Sequence, residues 1–160
     1  EYLVRASRLL DDKYAVCIGG SGPLTPELKQ LAEGDAKVRF LGRVSDLDLK
    51  AYLCACDIFC FPSVTKNEAF GIALAEAMSF AKPAVTFTIE GSGVNYVSLD
   101  KVTGIECPNG DVEAYAAAIR TLAEDKELRR RCGIAAHERV QALFTQEKFA
   151  EHVHRLLAEI

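Results

Sequence analysis

Apolar residues recur along this chain in two rhythms. Residues 1–10, EYLVRASRLL, place them at 2, 3, 6, 9 and 10, the period of an amphipathic helix. YAVCIGG (14–20) is instead a continuous apolar run ending in glycines, which predicts a buried strand. SGPLTPELKQLAEG (21–34) reads as a loop and a short helix, capped by Thr25 with Pro26 at its first position. KVRFLG (37–42), DIFCFPS (57–63), KPAVTFT (82–88) and TGIECPNG (103–110) predict four further strands. Between them, VSDLDLKAYLCAC (44–56) predicts a helix capped at Ser45, and NEAFGIALAEAMSF (67–80) a helix apolar on nearly every side. IEGSGVNYV (89–97) reads as a glycine-rich loop, and three helices fill 111–160.

Strands that alternate with helices and read as unbroken apolar runs belong to parallel sheets covered on both faces. The expected fold is therefore α/β: one doubly wound, Rossmann-like open parallel sheet of about five strands, forming a single domain over 1–160. The chain opens inside a helix without a cap, which suggests a piece of something longer. Ligands of such sheets bind beyond the carboxyl ends of the strands. Here those ends carry GGSGP, GRV, PSVTKNE and EGSG.

Composition narrows the class. The 160 residues are 49% hydrophobic and 26% charged, with net charge −4 and both signs dispersed, so no basic footprint for nucleic acid is present. No apolar run is long enough for a bilayer and no leader pattern opens the sequence. Six cysteines stand at 17, 54, 56, 60, 107 and 132. Their C-x-C-x3-C cluster has no nearby histidine and fits no zinc spacing, so small buried thiols of a reducing compartment are expected, and no metal. His137, His152 and His154 lie in a polar helical tail and are expected at the surface.

The acids carry the chemistry. Gly19, Gly20 and Gly22 allow close approach of a ligand to backbone. A helix starting near Ala69 would expose N–H groups at Phe70, Gly71 and Ile72, a natural seat for phosphate. Glu68 lies at its mouth and Glu76 about 12 Å further along the axis if all eight steps are helical. Each carboxylate can accept from two adjacent hydroxyls, so one acid per polyol, with a diphosphate between, suits a nucleoside diphosphate sugar. The plainer alternatives are that Glu68 complements the helix dipole and that Glu76 points to water.

The stretch FPSVTKNEAFGIALAEAMSFAKPAV resembles the donor motif of retaining, GT-B-fold glycosyltransferases of family 4, with its Glu-x7-Glu pair. IGGSGPLTPELKQLA, VRFLGRVSDLDLKAYLCACDIFCFPS and GSGVNYVSLDKVTGIECPNGDVEAYAAAI resemble, in order, its glycine-proline loop, base-binding strand and closing loop. Members that build surface polysaccharides are the most similar. The resemblance implies the C-terminal half of a GT-B enzyme. Glu68 would be the catalytic-site contact to the donor sugar. Ala69, Phe70, Gly71 and Ile72 would offer N–H groups to sugar and phosphate, and Glu76 would hold the ribose. Gly42, Arg43 and Val44 would border the base, with Gly20, Ser21 and Gly22 as the nearby wall.

It further implies a metal-independent transfer without cofactor, from a UDP- or GDP-sugar to a saccharide or lipid-linked acceptor. The acceptor would be held by an N-terminal domain absent here, in a cytoplasmic enzyme with room for peripheral attachment at the inner membrane face. Two departures stand out: Ala81 where members usually carry Gly, and Asn95 where related sequences often have Pro. The first strand, with its Gly-Arg and Lys, is also missing, so this piece alone is expected to be inactive. The rival functions are a nucleotide-sugar epimerase or glycan phosphorylase on the same fold, and a receiver-like binding module. The last is disfavoured because the Asp of DIFCFPS starts its strand. A dehydrogenase is disfavoured because GGSGPL lacks the third glycine of G-x-G-x-x-G.

Overall fold

A computed structural model describes residues 1–158. The order is α1 (Tyr2–Ser7), β1 (Val16–Gly19), α2 (Thr25–Leu31), β2 (Val38–Gly42), α3 (Asp46–Ala55), β3 (Phe59–Phe61), α4 (Ile72–Ser79) and β4 (Ala84–Phe87). α5 (Val94–Val97), β5 (Gly104–Cys107), α6 (Val112–Glu124), α7 (Lys126–Leu143) and α8 (Gln146–Ala158) complete it. All five expected strands form, and every pairing is parallel.

The hydrogen-bonded ladder divides, however, into β1-β2 and β3-β4-β5. The expected α/β fold of five parallel strands is present, and no described strand bridges β1 and β3.

The core sits on the three-stranded part. β4 is buried along its whole length, as its unbroken apolar run requires. Phe87 packs against Tyr115 of α6 with ring centroids 4.6 Å apart and meets Tyr2 of α1 edge-on at 5.5 Å. The buried Tyr115 hydroxyl donates to the Val85 carbonyl at 2.9 Å, so its polar atom is satisfied inside the core. Burying each such ring stabilises by about 1.5–3 kcal/mol.

The β1-β2 ribbon departs from the expectation of burial on both faces. Cys17 and Arg39 are exposed, because α2 buries no residue and α3 only Leu53. Cys17 and Cys54 are therefore surface thiols, against the expectation, whereas Cys107 and Cys132 are buried.

Local chemistry explains the element ends. Ser45 caps α3 as expected, its Oγ accepting the Asp48 N–H at 3.2 Å. Thr25 does not cap α2: it is the first helical residue, and its hydroxyl accepts the Gly22 N–H at 2.9 Å instead. The glycine-rich loop holds the one-turn α5. Asn95 pins it by accepting the Ile89 N–H at 2.8 Å and donating to the Phe87 carbonyl at 3.0 Å. A proline at 95 could make neither bond. His137, His152 and His154 are exposed, as expected.

Candidate functional site

The segment between β3 and α4 differs from its sequence reading in one important respect. The helix begins at Ile72, three residues later than Ala69, and Gly71 is its N-cap with φ +92° and ψ +59°. That left-handed conformation is open to glycine and strained for any side chain. A Cβ there would also sit 3.3 Å from the Leu74 Cβ. The glycine thus serves the chain's entry into the helix as well as any ligand.

Its N–H is not presented to solvent as expected. The Glu68 Oε1 accepts it at 3.0 Å, which sets a carboxylate beside the positive end of the helix. The N–H groups of the first turn proper, at Ile72, Ala73 and Leu74, have no acceptor among the described residues. They form a positive pole directed away from the helix, suited to an anion.

Glu68 is half-buried, while Ala69 and Phe70 are exposed. Glu76 lies on the exposed face of α4, one turn after Ile72, which is 71% exposed. The helix is therefore buried on one side only, through Leu74, Ala77 and Met78. The carboxylate in its middle carries no burial penalty.

A second group forms where β1 and β2 end. Gly19 pairs with Gly42, and the Gly20 N–H donates to the Gly42 carbonyl at 2.7 Å. This bond brings the Gly20–Gly22 loop beside Gly42, Arg43 and Val44. Gly20, Ser21, Gly22 and Arg43 are exposed, and Gly42 and Val44 half-buried. All the candidate residues but Glu76, which lies within α4, thus stand at carboxyl ends of parallel strands or at the helix start beyond one. They fall in two groups that follow the division of the sheet.

Ser92 and Gly93, in the EGSG segment that the sequence placed at a strand end, hold the Glu68 segment from behind. Ser92 Oγ donates to the Glu68 carbonyl, and the Gly93 N–H donates to the Ala69 carbonyl at 2.8 Å. A Cβ on Gly93 would stand 2.6 Å from the Ala69 oxygen, so the loop before α5 can approach this closely only as glycine. The glycine-rich composition of 91–93 was the available signal. A shallow hollow of about 690 Å³ lies nearby at the ends of β4 and β5. Its lining includes Glu90, Asp100 and Glu106, and three carboxylates repel a diphosphate.

A family model described as "Glycosyl transferases group 1" matches residues 1–139. The chain belongs to this family. It is 38% identical over 134 residues to D-rhamnosyltransferase WbpZ of Pseudomonas aeruginosa, covering 82% of this chain and 35% of that protein. It is 34% identical over 134 residues to O-antigen chain mannosyltransferase C of Escherichia coli, covering 82% and 36%. The chain thus spans little more than a third of these relatives. The crystal structure of Anabaena HepE in complex with UDP superposes with a TM-score of 0.88 at 22% identity, covering 99% of this chain and 44% of that one. That likeness establishes the fold. Family membership removes the receiver-like and dehydrogenase alternatives.

Proposed function

We propose that this chain is the donor-binding part of a retaining glycosyltransferase that moves a sugar from a nucleoside diphosphate to a saccharide or lipid-linked acceptor. One observation carries the reading. A helix start with three N–H groups open to an anion is flanked by Glu68 before it and Glu76 after it, in a member of the group 1 family. The diphosphate would lie at the α4 N-terminus, the sugar against Glu68 and the Ala69–Ile72 backbone, and the ribose against Glu76. The Gly20–Gly22 loop and Gly42–Val44 would border the base. As the sugar leaves, charge grows on the diphosphate, and the helix pole stabilises it without reorganising. No metal ion and no cofactor enter this scheme.

Relatives named for D-rhamnosyl and mannosyl transfer support a donor sugar of the mannose series. The unpaired edges of β1 and β3 support a strand from elsewhere in a longer protein, completing the sheet beside an acceptor domain. No described helix is long and apolar enough to cross a membrane. Peripheral attachment of the full-length protein at a lipid-linked acceptor is part of the proposal.

The test is thermal-shift and calorimetric titration of the full-length protein with UDP-, GDP- and ADP-sugars, because binding to the native state raises stability. One nucleotide sugar of the mannose series should bind and support transfer with retention. Failure of every nucleotide sugar to bind would overturn the proposal. Release of an epimerised donor or a sugar 1-phosphate would move it to the epimerase or phosphorylase class.

A further inference from the structure

The segment 65–71 carries Glu68 and Gly71, yet it belongs to no helix or strand. Its internal bonds are few: the Glu68 N–H donates to the Thr65 carbonyl at 3.1 Å, and the Gly71 N–H to the Glu68 carboxylate. Such a segment adopts one geometry only if its neighbours impose it.

On one side the neighbours are Ser92 and Gly93, already described. On the other stands Phe70, whose ring meets Phe144 edge-on at 5.4 Å between centroids. Phe144 is the C-cap of α7 and lies more than seventy positions along the chain. Tyr96 of α5 meets the same Phe144 ring edge-on at 5.9 Å. The Arg139 guanidinium covers both rings, 5.2 Å from Tyr96 and 5.6 Å from Phe144. Its Nε donates to the Val97 carbonyl at 3.0 Å and one terminal nitrogen to the Tyr96 carbonyl at 2.6 Å.

These contacts close a ring. α7 grips the carboxyl end of α5 through Arg139, and the loop before α5 grips Glu68 and Ala69. Phe70, one residue on, returns to α7 at Phe144. Phe144 is thus the ring that holds the partly exposed Phe70, in a segment with a left-handed glycine at its end.

We propose that Arg139 and Phe144 are positioning residues for the donor loop. Through Phe70 and α5 they fix where the Glu68 carboxylate and the Gly71 backbone stand. The inference rests on the proposed meeting of Glu68 with the donor sugar. It assigns a role in the reaction to the end of α7, which touches neither sugar nor nucleotide in that scheme.

The experiment uses the full-length protein with Phe144→Ala and Phe144→Tyr, and Ala117→Gly on the exposed side of α6 as a control for general destabilisation. Three quantities are read: amide hydrogen exchange, calorimetric affinity for the free nucleoside diphosphate, and kcat with donor KM. In Phe144→Ala, exchange at Gly71 and Gly93 should rise about tenfold while β4 amides hold, as local opening requires. The kcat should fall about tenfold with free-nucleotide affinity kept within about threefold. Phe144→Tyr keeps the ring and should restore both, and Ala117→Gly should leave the ratio of loop to β4 exchange unchanged.

Exchange at Gly71 and Gly93 that does not change, or that rises only in step with β4, overturns the proposal. So does a kcat that survives the loss of the ring. If the unaltered protein binds no nucleotide sugar, the proposed function fails by itself, and the exchange measurement still decides whether this ring holds the loop.

Discussion

Glu68 reaches over its own turn: its Oε1 accepts the N–H of Gly71 at 3.0 Å, just where the chain passes into α4. A donor sugar that engages Glu68 must replace or share this bond. In the proposed scheme the carboxylate is thereby pre-placed at the sugar end of the site, without being tied to the nucleotide end.

That separation can be measured. Glu76→Ala in the full-length protein should weaken free nucleotide and nucleotide sugar alike. A lost charge-assisted hydrogen bond contributes about 1.5–3 kcal/mol, roughly tenfold or more in affinity. Glu68→Ala should leave the free nucleotide nearly unaffected and reduce transfer about tenfold or more. It should also lower folding stability by about 0.5–1.5 kcal/mol through the lost hydrogen bond to the Gly71 N–H. Calorimetry with the nucleoside diphosphate and kinetics with its sugar decide. Equal weakening of the bare nucleotide by both changes would refute the division of labour.

Ala81 holds φ at +56°, in the left-handed region that L-residues avoid, at the turn from α4 to β4. That conformation costs a side chain roughly 1–2 kcal/mol, partly offset in a Gly variant by the greater freedom of its unfolded chain. Ala81→Gly should therefore stabilise the protein by about 0.5–1 kcal/mol, raising the melting temperature by roughly 2–3 °C. Thermal unfolding of the pair checks it. A lower melting temperature for the glycine variant would show that the turn is not strained.

The strands and most helices were legible because continuous apolar runs and caps are local signals. KPAVTFT holds a strand whose every residue is buried, and Ser45 caps α3 as its spacing indicates. Gly71 was misplaced by the same logic. FGIALAEAMSF has helical periodicity from Phe70 onward, but periodicity does not reveal that φ turns positive at 71 and starts the helix afterwards. The exposure of Cys17 was hidden for another reason: it depends on which helices cover β1, and that is set by tertiary packing. Phe144 and Arg139 carried no local sign at all. Their partners lie some forty to seventy residues away in sequence.

The thiols should react in an order set by burial. Cys17 and Cys54 are exposed, whereas burial pushes the Cys60 thiol up to about 12 and the Cys107 thiol to about 11. Only the thiolate is nucleophilic, so at neutral pH protonation protects the half-buried Cys60, and protonation and burial together protect Cys107. Alkylation of the native protein followed by peptide mass mapping should find Cys17 and Cys54 modified first. Early modification of Cys107 would mean that β5 opens more readily than its burial implies.

The last prediction concerns acid stability. Asp35 is buried, with Lys37 Nζ at 2.9 Å from one carboxylate oxygen and the buried Ser7 hydroxyl donating to the other at 2.7 Å. These contacts tie α1 to the turn between α2 and β2. Burial acts to raise the carboxyl's pKa, but the hydrogen bonds from Lys37 and Ser7 outweigh it and hold the group below its ordinary value. A carboxyl depressed in the folded state binds its proton more tightly when unfolded. Its stabilisation is complete above the unfolded pKa, about 3.9, and is lost as pH falls through the lower folded value. Asp35→Asn should cost about 2–3 kcal/mol near neutrality, the scale of a charge-assisted bond whose partners stay buried. The gap between the two proteins should stay level from about pH 8 to pH 5 and close progressively below about pH 4. Denaturant unfolding of both proteins across that range supplies the curve. A gap that persists undiminished at about pH 3 would show that the Asp35 charge is not what joins these elements.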